Sequence, residues 1–285
     1  VAYSDASDKH EYNKNGAAPL FSENQATGLN FIHKENSFVD FKVQPTLPHM
    51  FSKSGPGIAV GDVNGDGLED CYIAGAANSS GGLYTQDGNG TFRRRRLPGI
   101  DSIAEETGVL FFDADNDSDL DLYLSSGGSE GDSAKFYQDR LLLNDGTGKF
   151  SRSPHLPAEE SSSSCVVGSD YDRDGDIDIF VGGRVSPGKY PMPSQSLLLI
   201  NESLPGKIKF TKDDSSIQDG MVCAALWSDY DNDGWTDLIV SGEFMPIRFY
   251  KNKNGKLESP IELENSSGWW NSISASDFDL DGDID

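Results

Sequence analysis

The sequence predicts an all-β fold: a β-propeller of four-stranded blades. Two observations predict it. A nine-residue acidic motif recurs five times, and a hairpin signal follows each of its first four copies. Aligned on the first aspartate, the motif reads DVNGDGLED (62–70), DADNDSDLD (113–121), DYDRDGDID (170–178), DYDNDGWTD (229–237) and DFDLDGDID (277–285). Successive copies start 51, 57, 59 and 48 residues apart. A period of this size marks a repeat architecture in which each unit buries its apolar face against its neighbours.

The flanks define the strands of each unit. Ahead of the motif stands a small or apolar run: GIAVG, GVLFF, CVVGS, AALWS and SISAS. Behind the first four copies stands another: CYIAG, LYLSSGG, IFVGG and LIVSG. Short apolar runs bounded by turn residues read as buried strands. Then follow LYTQDGNGTF (83–92), LLLNDGTGKF (141–150), LLLINESLPGKIKF (197–210) and RFYKNKNGKL (248–257), whose turn residues sit between β-rich arms as in tight hairpins. Each unit therefore holds four strands: one before the acidic loop, one after it, and two in the hairpin. No segment carries a convincing helical period, which excludes helical solenoids and leaves the blades of a propeller.

Composition bounds the function. Acidic residues number 47 against 23 basic, for a net charge of −24 over 285 residues. That balance argues against nucleic acid, whose phosphates select a basic face. No apolar run approaches the roughly 18 residues that span a bilayer. The three cysteines, Cys71, Cys165 and Cys223, are far apart in sequence, and each sits in an apolar run. They read as small buried hydrophobes, and their odd number excludes a fully paired set of intramolecular disulfides.

The acidic loops raise a physical problem. Two carboxylates 5 Å apart repel by about 3 kcal/mol at an effective dielectric near 20, yet each loop leads straight into a buried strand. A cation resolves it. In a loop wrapped round an ion, positions 1, 3 and 5 point inward, glycine at position 6 permits the sharp turn, position 7 offers its carbonyl, and a later carboxylate closes the cage. The candidate ligands are Asp62, Asn64, Asp66, Leu68 and Asp70 in the first loop and Asp113, Asp115, Asp117, Asp119 and Asp121 in the second. The third supplies Asp170, Asp172, Asp174, Asp176 and Asp178; the fourth Asp229, Asp231, Asp233, Trp235 and Asp237; the fifth Asp277, Asp279, Asp281, Asp283 and Asp285. An all-oxygen set suits calcium (Ca2+), since transition metals would draw on His or Cys. The closing carboxylate stands at position 9, and position 12 holds Ile73, Leu124, Val181 or Val240 where an EF-hand needs Glu. Two copies deviate: Asn64 replaces Asp at position 3, and Ser118 replaces glycine at position 6, where a left-handed turn carries strain.

The pattern GIAVGDVNGDGLEDCYIAG…LYTQDGNGTF resembles the FG-GAP/VCBS repeats of integrin-alpha-like β-propellers, and most nearly those of bacterial secreted and surface proteins. The resemblance covers about residues 55 to 285. It implies a seven-bladed propeller with calcium in the loop joining the first and second strands of a blade. Seven blades need more residues than this sequence holds, so the propeller is expected to be incomplete at its C-terminal end. Residues 1–19 read as a flexible polar leader and residues 20–285 as the propeller domain. Within the latter, GLNFIHKE and FVDFKVQP are expected to be strands that complete the last blade.

Other signals are weaker. GGSEG (127–131) matches the G-x-S-x-G elbow of serine hydrolases but lacks a following helix, so it reads as a loop. The four histidines have no metal or triad spacing. RRRR (93–96) falls in a strand after a hairpin turn and reads as a solvated outer strand. The function expected is a calcium-binding, extracellular or cell-surface adhesion or ligand-binding module whose partner is a glycan or a surface protein. Millimolar extracellular calcium would fill even weak sites. The alternative is a propeller-fold carbohydrate-active enzyme such as a polysaccharide lyase, which needs a central cleft with His, Tyr, Lys or Arg. The sequence singles out no such cluster and no catalytic residue.

Overall fold

The computed structural model describes residues 27–97, 102–213, 217, 220–280 and 284. Among these, four antiparallel sheets follow one another along the chain, and helix is confined to α1 (Asp40–Val43) and two 3-10 turns. Blade one contains β1 (Ile58–Gly61), β2 (Asp70–Ile73), β3 (Gly82–Gln86) and β4 (Phe92–Arg95). Blade two contains β5 (Glu105–Phe112), β6 (Asp121–Gly127), β7 (Arg140–Leu143) and β8 (Ser151–Ser153). Blade three is β9 (Ser163–Ser169), β10 (Asp178–Gly183), β11 (Leu197–Asn201) and β12 (Phe210–Lys212). Blade four is β13 (Met221–Ser228), β14 (Asp237–Met245), β15 (Arg248–Tyr250) and β16 (Ile261–Glu262), with β17 (Gly268–Trp269) paired to the far end of β14. Each strand pairs with the next in sequence, an up-and-down meander. The fold is all-β and propeller-like.

The core lies between blades rather than within them. Val63 of blade one packs with Leu122, Leu142 and Phe150 of blade two. Ala114 of blade two packs with Ile179, Leu199 and Phe210 of blade three, and Tyr171 of blade three with Leu238 and Tyr250 of blade four. The second strands are therefore covered on both faces, and every residue of β6 and β10 is buried. That is why these strands read as continuous apolar runs instead of alternating ones. The first strands β1, β5, β9 and β13 neighbour one another in that order. Gly108 permits the approach of β5 to β9, since a Cβ there would sit 3.0 Å from the Val166 nitrogen.

Three expectations are corrected. Residues 28–35 and 38–45 form no strand. Segment 27–31 instead runs beside blade one, where Phe92 N donates to Thr27 O at 2.6 Å. Segment 36–53 straps across the end of the blades opposite the acidic loops. It is fixed by buried Asp40, which accepts from Ser52 N at 3.0 Å and Ser129 Oγ at 2.8 Å, and by Phe51, which packs with Val185 and Met221. SISAS (272–276) is not a strand. The outer strand of blade four lies at Ile261–Glu262, later than the RFYKNKNGKL hairpin implies; within that segment the first arm forms β15, and the second arm contributes the bridge Asn252–Leu257. The leader at 1–19 lies outside the described residues.

RRRR does fall on an outer strand: β4 exposes Arg93, Arg94 and Arg95, and Arg93 pairs with Asp87 at 3.4 Å. GGSEG is a loop in which Ser129 donates to Asp40, and only a 3-10 turn at Ala134–Phe136, not an α-helix, follows it.

Candidate metal centre

All four complete loops join the first and second strands of a blade, and their geometry repeats. Position 1 gathers backbone donors. Asp62 accepts from Gly65 N at 2.8 Å and Gly67 N at 2.7 Å, Asp113 from Ser118 N at 2.9 Å, and Asp229 from Gly234 N at 2.8 Å. Burial pushes the Asp62 carboxyl upward, but these N–H groups outweigh it and hold Asp62 below the usual carboxylate range. The position-5 side chain accepts from the N–H two residues on: Asp66 from Leu68, Asp117 from Asp119, Asp174 from Asp176 and Asp233 from Trp235, at 2.9 to 3.1 Å. The chain thus curls tightly at the position-1 and position-5 carboxylates.

The curl requires left-handed backbone at two positions. Position 6 has φ of +81° at Gly67, +99° at Gly175 and +88° at Gly234, and Ser118 adopts +72° without glycine's freedom. Position 4 is left-handed too, at Gly65, Asn116, Arg173, Asn232 and, in the fifth loop, Leu280. Sequence reasoning missed this because the five residues are chemically unlike.

Position 9 closes each loop and begins the second strand. Asp70, Asp121, Asp178 and Asp237 are 0–1% exposed. Each accepts from one hairpin N–H: Gln86 at 2.8 Å, Asn144 at 2.8 Å, Asn201 at 2.8 Å and Asn252 at 2.7 Å. Burial pushes Asp121 up to about 7 and Asp178 up to about 8, and raises Asp70 and Asp237 as well. At position 7 Asp119 Oδ1 is buried, and burial and the neighbouring Asp117 push this carboxyl up to about 6.

Three clusters meet the requirement for an ion directly. Asp113, Asp115 and Asp121, then Asp170, Asp172 and Asp174, then Asp229, Asp231 and Asp237 each bring carboxylate oxygens within 4.8 Å of one another. In the first loop Asn64 stands where the others have a carboxylate. The residues fit a hard cation on a further ground. Asp115 Oδ1 and Asp119 Oδ1 in the second loop, and Asp170 Oδ1 and Asp178 Oδ2 in the third, are buried and have no hydrogen-bond partner among the described residues. Buried oxygens left so are costly, and a divalent ion would satisfy them together. In the fourth loop Lys251 ion-pairs with Asp231 and, at 3.1 Å, with Asp233, so an ion there would compete with an ammonium. In the fifth loop Asp277 and Asp279 lie among the described residues, while Asp281, Asp283 and Asp285 lie outside them.

The loops are also joined to one another. Asn116 at position 4 of the second loop donates to Asp176 at position 7 of the third, at 2.5 Å. Arg173 at position 4 of the third lies over Trp235 at position 7 of the fourth, 4.2 Å from the ring centroid. The hairpin asparagines reach backward as well: Asn144 Nδ2 donates to Val63 O at 2.7 Å, Asn201 Nδ2 to Ala114 O at 3.3 Å and Asn252 Nδ2 to Tyr171 O at 2.7 Å. The acceptor is position 2 of the preceding blade's loop in every case. The sequence carried the signal, an Asn at the end of each third strand from blade two onward, but it was read only as turn chemistry.

Asp174 and Asp176 test the inward and outward assignment, because either substitution removes one charge. Asp174→Ala is expected to remove most of the third site's calcium-dependent gain in melting temperature, about 5 °C or more. Asp176→Ala loses only the exposed Asn116 contact and should shift melting by less than about 2 °C. Equal shifts in a calcium titration would refute the cage geometry.

The end opposite the loops brings together residues that sequence reasoning had left without a role. His49 approaches buried Glu243 at 3.5 Å, and Glu243 also pairs with Arg184. Arg184 contacts Cys223 Sγ, so Cys223 is not merely a small hydrophobe, whereas Cys165 packs in the core between blades three and four.

The FG-GAP-like repeat family matches residues 62–124 and 229–285, which hold four of the five acidic loops. The chain thus carries FG-GAP-like repeats at two places within a propeller-like fold. It is 27% identical over 211 residues to Cartilage acidic protein 1 of Xenopus tropicalis, covering 70% of this chain and 31% of that protein. It is also similar in structure, at a TM-score of 0.46 and 13% identity, to an Agrocybe aegerita lectin described for specific recognition of non-reducing terminal N-acetylglucosamine. That likeness covers 72% of this chain and 51% of the lectin, and at such a score it carries no functional weight. The chain spans about a third of the length of the first relative and half of the second. No helix among the described residues is long and apolar enough to cross a membrane.

Proposed function

We propose that this chain is a calcium-stabilised, extracellular ligand-binding or adhesion module of the propeller class, whose partner is a glycan or a surface protein. The observation that carries the calcium reading is the set of buried, unpartnered carboxylate oxygens in the second and third loops. One or two such atoms could be local accidents. Their occurrence in the acidic loops of two successive blades, among oxygen donors only, suits a hard cation with six to eight ligands. Each ion would be held by its own loop's closely spaced ligands, so its role is to brace the junction of the first two strands, not to serve a shared reaction centre. Calcium at extracellular concentrations fills sites of this kind, and a relative named for cartilage supports that setting.

Metal analysis of protein dialysed against calcium-containing buffer tests the reading. About four or five calcium ions per chain are expected, one per acidic loop. Zinc in their place, or no metal, would overturn it.

A further inference from the structure

Counting back six residues from the first aspartate of the second to fifth loops reaches Thr107, Ser164, Cys223 and Asn271. All four line one cavity of about 390 Å³ at the end opposite the acidic loops. Three of them are placed there by the same device. The pairing of β5 with β6 shifts register across Thr107, that of β9 with β10 across Ser164, and that of β13 with β14 across Cys223. A one-residue bulge re-aims a side chain, and bulges gather beside binding sites. Successive repeats thus each contribute one uncharged hydrogen-bonding group to a common pocket.

The chemistry of the lining selects its occupant. Thr107 Oγ1 donates to Ser163 O at 3.0 Å and Ser164 Oγ donates to Val222 O at 2.6 Å, so each presents lone pairs to a ligand O–H. Arg184 lines the same cavity and is neutralised by Glu243. Two buried carboxyl oxygens beside the cavity have no partner among the described residues. Glu243 Oε2 adjoins that ion pair, and Glu105 Oε1 lies 3.9 Å from the Cβ position of Gly55 in the cavity wall. Burial pushes Glu105 up to about 8, so near neutrality it can donate a proton to a ligand oxygen. Next to Arg184 an unbroken circuit of aromatic contacts runs through Phe51, His49, Trp269, Phe244 and Tyr190, with ring centroids 4.4 to 6.2 Å apart. Phe244 and Trp269 are exposed, and Phe244 is held at a left-handed φ of +55°, a strained state for an aromatic residue.

We propose that this axial cavity binds the terminal residue of a neutral saccharide, with the Trp269–Phe244 platform taking the apolar face of the next sugar. The inference rests on the reading of the chain as a ligand-binding module and names the ligand class. Sugar hydroxyls both donate and accept, as this lining does. The charge of −24 disfavours acidic glycans.

Titration calorimetry on the calcium-loaded chain, with cellotriose, xylotriose, mannotriose and chitotriose, and with trigalacturonate as the acidic comparison, tests it. At least one neutral trisaccharide should bind, and Asn271→Ala and Trp269→Ala, both exposed positions, should each weaken it tenfold or more with melting unchanged. Thr107→Val should weaken it severalfold. No binding by any neutral trisaccharide, binding of trigalacturonate alone, or affinity unmoved in all three variants would overturn the site. A chain that takes up calcium yet fails these tests loses only this site. Saccharide binding by a chain that takes up no metal upholds the cavity and overturns the calcium reading.

Discussion

Excess EDTA is expected to lower the melting temperature of this protein by roughly 15 °C or more. A ligand held only by the folded state contributes about 2.7 kcal/mol per site at a hundredfold excess over Kd. Three clusters of carboxylates within 4.8 Å would then contribute about 8 kcal/mol, and each kcal/mol moves the melting of a domain this size by about 2–4 °C. The pH dependence should reverse as well. In the cation-free protein Asp119, Asp121 and Asp178 sit at about 6, 7 and 8. A carboxyl raised by folding contributes stability that is complete below its unfolded value near 4 and is lost as pH rises through the folded value. EDTA-treated protein should therefore melt higher at pH 5 than at pH 8, while the calcium form gains nothing from acidification. A melting curve unchanged by EDTA at pH 7.5 would show that the acidic loops are merely solvated.

Asp178→Ala is the single change expected to cost most, about 4–5 kcal/mol in calcium. The side chain is fully buried, and its Oδ1 accepts the Asn201 N–H at 2.8 Å. Removing it strands that N–H, a cost of about 1–3 kcal/mol, and opens the cation cage, which forfeits a further 2.7 kcal/mol or so. Asp178→Asn separates the two effects. It keeps an acceptor for Asn201 but withdraws the charge, so it should preserve the strand tie and lose the calcium-dependent part of the shift. Thermal melts at zero and at millimolar calcium decide the matter. Were Asp178→Asn to retain the full calcium increment, position 9 would not be the closing ligand.

The four-strand grammar and the acidic loops were legible because both are local. Alternate aspartates, a turn glycine and a following apolar run lie within fifteen residues of one another, and the loop fixes the register of the strands on either side. The axial cavity was illegible for the opposite reason. Thr107, Ser164, Cys223 and Asn271 share a place relative to their acidic loops but no single chemical type, and bulges bring the first three to the cavity. FVDFKVQP (38–45) reads as a strand, yet buried Asp40 and Phe51 tie segment 36–53 across blades two to four instead. Lys251 was read as part of a hairpin turn, and nothing local shows that the turn folds back onto the fourth acidic loop.

The backward reach of Asn144, Asn201 and Asn252 bears on how such a chain could be cut, shuffled or lengthened. Each asparagine fastens position 2 of the loop belonging to the blade before it, so the segment that repeats in sequence does not coincide with the segment that is physically complete. A blade excised at its sequence boundaries would carry its own loop but leave behind the amide that holds it. A blade inserted between two others must supply an asparagine for its predecessor and accept one from its successor. Duplication of a whole period meets both conditions automatically, whereas transplanting a single blade from an unrelated propeller does not. The smallest portable unit is a loop together with the hairpin of the following blade.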